Sequence, residues 1–263
     1  MEMILGYNRN DWEQFQIKNP VEIVLPKKTS NILVSGKSGS GKSKSILWYI
    51  WQSLSNQESV VYLADYKAGE EFPFEDLSSY ASGEQVFDMI DNYHQFFTAV
   101  RSGRIRLSKH YMLVLEEYFG LLTYAENHSK KLKTELMAKI GEILAVGRGL
   151  NIGIMLCVQR ADSNLFSSGA REQFHCVINF ARCSSEAFRM LGFSGELESN
   201  PTSRYGAGEA LVLIDGQDAV REIKVPLIKN EEILCQQIRY YLDKQPTISD
   251  LIRAVAGGES TEQ

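Results

Sequence analysis

The octapeptide GKSGSGKS, residues 36–43, has the residue types and spacing to hold phosphate. It satisfies G-x-x-x-x-G-K-[ST] with Gly36, Gly41, Lys42 and Ser43 at the fixed positions. Lys37, Ser38, Gly39 and Ser40 fill the loop between the two fixed glycines. Glycines let backbone N–H groups turn inward and approach phosphate oxygens closely. A helix starting at the end of such a loop adds its partial positive charge. Lys42 is then placed to meet the outer phosphates of a nucleoside triphosphate, and the Ser43 hydroxyl to hold Mg²⁺. ATP and Mg²⁺ are the cofactors this pattern predicts.

A second stretch, YMLVLEEYFG (111–120), runs five strand-forming residues into two adjacent carboxylates, Glu116 and Glu117. Burying a charge is costly unless it is paired or binds a metal. An acid pair at the start of an exposed loop would need no chemistry. Beside a phosphate loop, however, a strand ending in acids has a use: one supports Mg²⁺ and the other orients and deprotonates a water. In that arrangement Glu116 supports the metal and Glu117 is the base.

The elements that must position these groups follow from periodicity. NILVSG (31–36) is a short apolar strand leading into the loop, and KSKSILWYIWQSL (42–54) carries apolar residues at helical spacing. SVVYLAD (59–65), the acid strand 111–116, NIGIMLCVQ (151–159) and HCVINFA (175–181) are further strands. Helical patterns at 85–100 and 131–146 separate them. Near-continuous apolar strands alternating with helices predict an α/β fold with a mostly parallel central sheet covered by helices on both faces. EALVLIDGQDAVREIKV (209–225) instead predicts a C-terminal β-hairpin turning at Asp215-Gly216-Gln217-Asp218. The domain reading is a small β element over 1–30, a large α/β domain over 31–245, and a C-terminal helix with a disordered tail over 246–263.

With these motifs in order, the chain resembles the FtsK/HerA superfamily of ring-forming translocases, most closely FtsK/SpoIIIE-type motor domains and conjugative coupling proteins. The resemblance covers about residues 30–225 and implies that the domain over 31–245 is a RecA-like, phosphate-loop ATPase motor domain. ADYK (64–67) is similar to the family's D-P-K motif, with Tyr66 in place of proline. VLEEYFGLL (114–122) is similar to its acidic strand, with Glu116 where aspartate is usual. VGRGLNIGIMLCVQR (146–160) resembles its G-R, turn, strand, Q-R segment, and GAGEALVLIDG (206–216) its G-x-G-D-x-L segment, with Glu209 for aspartate. The D-S-R segment expected after the fifth strand is poorly kept in SSEAFRML (184–191). The resemblance implies that Gln159 senses the terminal phosphate from a strand between the loop strand and the acid strand. It implies that Arg148 projects onto the nucleotide of a neighbouring subunit in a homo-oligomeric ring, with six subunits the family expectation. Taken singly, Gln159 is a strand-end amide and Arg148 a cation near a helix C-terminus.

The 263 residues suffice for one large α/β domain or two small ones, and 44% are hydrophobic and 23% charged. A net charge of −5 argues against whole-surface attraction to nucleic acid, so DNA contact needs a local basic patch. One such stretch carries Lys130, Lys131 and Lys133, another (159–174) carries Arg160 and Arg171, and a third is RSGRIRLSKH (101–110). Each is equally well a solvated face. Duplex DNA, contacted without sequence reading, is the predicted substrate of an ATP hydrolase working as a translocase. The alternatives are a type VII-like protein-secretion ATPase and a non-hydrolysing nucleotide-binding module. No apolar run is long enough to span a bilayer, no signal peptide opens the chain, and the four cysteines have no C-x-x-C spacing. A cytoplasmic chain is expected, with any membrane link supplied by membrane-anchored transfer machinery.

Overall fold

The computed structural model describes residues 1–103, 107–162, 165, 170–217 and 219–257. In chain order the elements are β1 (Glu2–Asn8), α1 (Arg9–Phe15), β2 (Pro20–Val24), β3 (Ile32–Gly36), α2 (Lys42–Ser55), β4 (Ser59–Asp65) and β5 (Tyr80–Ser82). Then come α3 (Gln85–Gly103), β6 (His110–Glu116), α4 (Tyr118–His128), α5 (Lys130–Val146), β7 (Ile152–Val158) and β8 (Cys176–Phe180). The chain continues through α6 (Ser185–Met190), β9 (Glu209–Ile214), β10 (Arg221–Lys224), α7 (Glu231–Lys244) and α8 (Ile248–Gly257).

One ten-stranded sheet runs in the order β2-β1-β10-β9-β8-β3-β7-β6-β4-β5. From β8 to β5 every neighbouring pair is parallel; from β8 to β2 every pair is antiparallel. All described positions of β3, β4, β6, β7 and β8 are buried, which is why those strands read as continuous apolar runs rather than alternating ones. One face packs on α3, α4, α5 and α8 through residues such as Tyr93, Phe97, Leu122 and Ile140. The other packs on α2 and α7 through Tyr49, Ile50, Ile238 and Leu242. This is the fold class expected from the sequence, including the β9–β10 hairpin. Asp218 in its turn and the tail from 258 lie outside the described residues.

The β1–β2 pair continues the main sheet rather than standing beside it: Tyr7 and Asn8 pair with Lys224 and Ile223. Gln52 of α2 bonds both the N–H and the carbonyl of Ile4, at 3.0 and 2.9 Å. Five elements have no counterpart in the sequence reading: α1, β5, α4, α6 and α7. β5 is three residues long, below the length at which a periodicity is visible. α4 follows directly on the acids, where Tyr118, Leu121, Leu122 and Ala125 form a narrow buried stripe. Among the described residues no helix is long and apolar enough to cross a membrane.

Candidate nucleotide site

The parallel strands place the C-terminal ends of β3, β4, β6 and β7 on one edge of the sheet, where α/β proteins of this type bind ligands. β7 lies between β3 and β6, so Gln159 emerges between the phosphate loop and the acid pair. A cavity of about 400 Å³ opens there, bounded by Ser38, Lys42, Glu116, Glu117, Gln159 and Lys67.

The loop between β3 and α2 uses its glycines in two ways. Gly39 and Gly41 adopt φ of +77° and +84°, a region costly for any residue with a Cβ. Gly36 is needed for space, because a Cβ there would stand 2.6 Å from Ser40 Oγ and 2.9 Å from Phe180 Cβ. Gly41 caps α2 without any side-chain acceptor, so the N–H groups of the first turn face the cavity free of a capping group.

Lys42 is buried and its Nζ pairs with Glu116 Oε1. Burial lowers the Lys42 pKa, but the charge and hydrogen bond of Glu116, together with Cys157 and Glu117, outweigh it and hold the ammonium above its ordinary value. Burial at the end of β6 pushes the Glu116 carboxyl up, against the pull of Lys42. Glu116 Oε2 and Ser40 Oγ are buried without a hydrogen-bond partner. Buried polar atoms are nearly always satisfied, so such orphans beside a cavity are sites for a polar ligand.

Glu117 adopts φ +59°, ψ 43° at the N-cap of α4. A non-glycine residue in that region costs of order 1–3 kcal/mol, and such strain concentrates at functional sites. Its Oε2 accepts a hydrogen bond from Gln159 Nε2 at 2.7 Å. Asp65, at the end of β4 and in register with Glu116, is held by the turn that follows it and by β5. It accepts from the N–H groups of Lys67 and Gly69 at 3.1 and 3.0 Å and from the Tyr80 hydroxyl at 3.3 Å. Lys67 thereby reaches the cavity wall, where it pairs with Glu71 at 2.8 Å. Neither Lys67 nor Glu71 is singled out by local pattern, although Lys67 stands in the ADYK motif.

The structure brings together Gly36 to Ser43, Glu116, Glu117 and Gln159. It does not bring Arg148 to them. That residue lies in the 3-10 turn Gly147–Leu150 ahead of β7, on the opposite edge of the sheet from Lys42. A seven-residue strand separates the two edges by roughly 20 Å. Burial, and next to it the Arg148 charge, lowers the pKa of His175, which precedes β8 on that same edge.

The basic residues named for DNA are mostly engaged within the chain. Lys133 pairs with Glu126 at 2.7 Å, Lys131 with Glu135 at 3.6 Å and Arg160 with Glu186 at 2.9 Å. Arg171 donates to the Met190 carbonyl at 2.6 Å. Lys130 is exposed at the start of α5. Of the stretches 101–110 and 159–174, residues 104–106, 163–164 and 166–169 lie outside the described residues.

No protein-family model matches the chain, and no curated protein matches it. Solved structures do. The pCW3 conjugation coupling protein TcpA, a monomer with ATPγS, superposes with a TM-score of 0.63 at 18% identity over 84% of this chain and 66% of its own. The cytoplasmic domain of the Thermomonospora curvata type VII secretion ATPase EccC gives 0.64 at 16% identity over 94% of this chain and 31% of its own. The genome packaging NTPase B204 of Sulfolobus turreted icosahedral virus 2, with ATPγS, gives 0.54 at 16% identity over 78% of this chain and all of its own. At such identities the likeness is one of fold. The chain has the RecA-like P-loop fold of these ATPase and NTPase structures. It spans less than two thirds of the length of the coupling and secretion proteins it matches.

Proposed function

We propose that the chain is an ATP-hydrolysing motor domain that moves duplex DNA as part of a homo-oligomeric ring. The observation carrying the ATPase reading is the pairing of Lys42 with Glu116 beside the Glu117–Gln159 hydrogen bond, all on one cavity wall. The residues fit ATP and Mg²⁺. The first turn of α2 offers free N–H donors, and the orphaned Glu116 Oε2 and Ser40 Oγ await polar partners. Ser43 and Glu116 form the sparse oxygen set that Mg²⁺ takes when phosphates complete its shell. Bound ATP and Mg²⁺ supply the cleavable phosphoryl bond and offset its charge.

The chain's own residues would divide the remaining work. Lys42 keeps its ammonium in a buried position at the loop. Glu116 holds that ammonium until phosphate competes for it. Glu117 accepts the proton of an attacking water, and Gln159 fixes the orientation of its carboxylate. Coupling to motion would run through Gln159, because β7 joins the cavity to the edge carrying Arg148. Since roughly 20 Å of strand separates Arg148 from its own Lys42, Arg148 would serve a neighbour's site. A head-to-tail contact that closes gives a ring; six subunits is the family expectation.

The DNA assignment is supported by the resemblance and by two relatives in fold, a conjugation coupling protein and a genome packaging NTPase. The internal pairing of Lys131, Lys133 and Arg160 favours the second reading, a protein substrate as in the type VII secretion ATPase. ATP turnover with and without linear duplex DNA tests the choice. Stimulation that falls steeply with salt supports DNA; a salt-insensitive, DNA-independent ATPase supports the secretion reading.

A further inference from the structure

The phosphate loop is braced by a turn far along the chain. Gly208 N–H donates to the Ser40 carbonyl at 2.9 Å. A Cβ on Gly41 would lie 2.8 Å from the same nitrogen, so the two segments pack backbone against backbone. Ala207 faces the cavity itself. The shape of the loop is therefore referenced to residues 206–208.

That turn is held from behind by Glu209. Its Oε2 accepts from Gly206 N–H at 2.9 Å, and its carbonyl from Ala181 N–H at 2.8 Å. The residue is 7% exposed, yet two cations meet its carboxylate. Lys224 Nζ is 3.2 Å from Oε1, and Arg9 Nε is 3.4 Å from Oε2. Arg9 opens α1, lies 4.8 Å over the Tyr205 ring, and also reaches Glu13 and Glu222, each at 3.3 Å. Lys224 reaches Glu13 at 3.1 Å. A short N-terminal helix thus sends both a cation and an anion into a network centred on the carboxylate behind the phosphate loop.

We infer that Glu209 is a positioning residue for the phosphate loop and that α1, through Arg9, governs it, so that α1 sets the affinity for ATP. The inference rests on the nucleotide-site reading above. A buried carboxylate held by two cations and a backbone N–H has one favoured arrangement, and removing a cation leaves it undercompensated. It would then swing toward water and release Gly206, and the turn that holds Ser40 would loosen. Neither Arg9 nor Glu209 touches the nucleotide in this scheme. Both act through the Gly208–Ser40 contact, which makes α1 the handle by which anything seated on the N-terminal strands could tune the site.

The test is equilibrium binding of a fluorescent ATP analogue to the full chain, with thermal unfolding recorded on the same samples. The variants are Arg9→Met, Glu209→Gln, the two combined, and Lys139→Met, which breaks a 2.6 Å ion pair with Asp91 between α5 and α3. Arg9→Met and Glu209→Gln are each expected to weaken binding roughly tenfold, and the double variant no more than the weaker single, because residues of one network do not add. Lys139→Met is expected to bind as wild type does. Should Glu209→Gln fail to unfold cooperatively, Arg9→Met, Lys224→Met and their combination carry the same comparison. Wild-type affinity in the single variants, or strictly additive losses, overturns the inference alone. A wild-type chain that binds no ATP overturns the site reading and the inference with it.

Discussion

Gln159 Nε2 donates to Glu117 Oε2 at 2.7 Å, tying the end of β7 to the residue that follows β6. The bond joins neighbouring parallel strands at the edge where the phosphate loop opens. It fixes the carboxylate of a residue whose own backbone is held at φ +59°. A strained backbone and a tethered side chain together restrict Glu117 to a narrow range of positions over the cavity.

That strain separates stability from activity. Glu117→Gly and Glu117→Ala both remove the carboxylate, but only glycine accepts the backbone angle without penalty. Glu117→Gly is expected to be more stable than Glu117→Ala by about 1 kcal/mol, with neither hydrolysing ATP. Urea unfolding and turnover measured on both variants check this. Glu117→Gln keeps the side-chain shape and should bind ATP without hydrolysing it; normal turnover would remove Glu117 from the role of base.

The Lys42–Glu116 pair makes a second, paired prediction. Both side chains are 6% exposed, so deleting either leaves a buried charge uncompensated. Lys42→Ala should lower stability by about 3 kcal/mol and abolish ATP binding. The double variant Lys42→Ala, Glu116→Ala should regain much of that stability and none of the binding. Glu116→Asp should stay active. Retained ATP turnover in Lys42→Ala would dismiss the loop as a nucleotide site.

Arg148 is tested by dilution. Arg148→Ala should bind ATP nearly as wild type does but hydrolyse it about 10³-fold more slowly or worse, the range for arginines acting in trans. Wild-type turnover per chain should collapse below the assembly concentration. Constant turnover in a demonstrably monomeric protein would rule out the shared site.

Charge reversal at Lys130, Lys131 and Lys133 bears on the substrate. Changing all three to Glu should lower DNA-stimulated turnover, and each lost phosphate contact should reduce the salt slope of DNA binding by about 1. An unchanged slope would place the DNA contact elsewhere or exclude it.

His110 predicts the acid sensitivity of the fold. It is 1% exposed at the start of β6, and neither ring nitrogen has a hydrogen-bond partner. Burial, and next the nearby chain amine, lower its pKa from 6.5 to about 3. The folded state therefore binds fewer protons than the unfolded one between those values. Its stabilising effect is complete above pH 6.5 and is lost as pH falls toward about 3, at up to about 1.4 kcal/mol per pH unit. Unfolding of wild type and His110→Leu across this window checks the sign. The difference between them should shrink, or reverse in favour of the variant, as pH falls.

The sequence by itself determined the phosphate loop, the acid strand and the alternation of buried strands with helices. Each is a local matter: a strand, a glycine turn and a helix N-terminus lie within a few consecutive turns of chain, and fully covered strands declare themselves by unbroken apolar runs. It also placed Gln159 at a strand end, and the structure puts that strand between β3 and β6 as the resemblance implied. Tertiary structure alone decided the rest. The Gln159–Glu117 bond spans 42 positions and the Arg9–Glu222 contact 213, and both depend on strand order, which no residue pattern specifies. The same holds for Arg148: nothing in its neighbours along the chain tells which edge of the sheet it occupies until β7 is seen to run parallel to β3. The lysines of α5 read as an open basic patch because sequence shows their charges but not Glu126, which α4 brings back against Lys133.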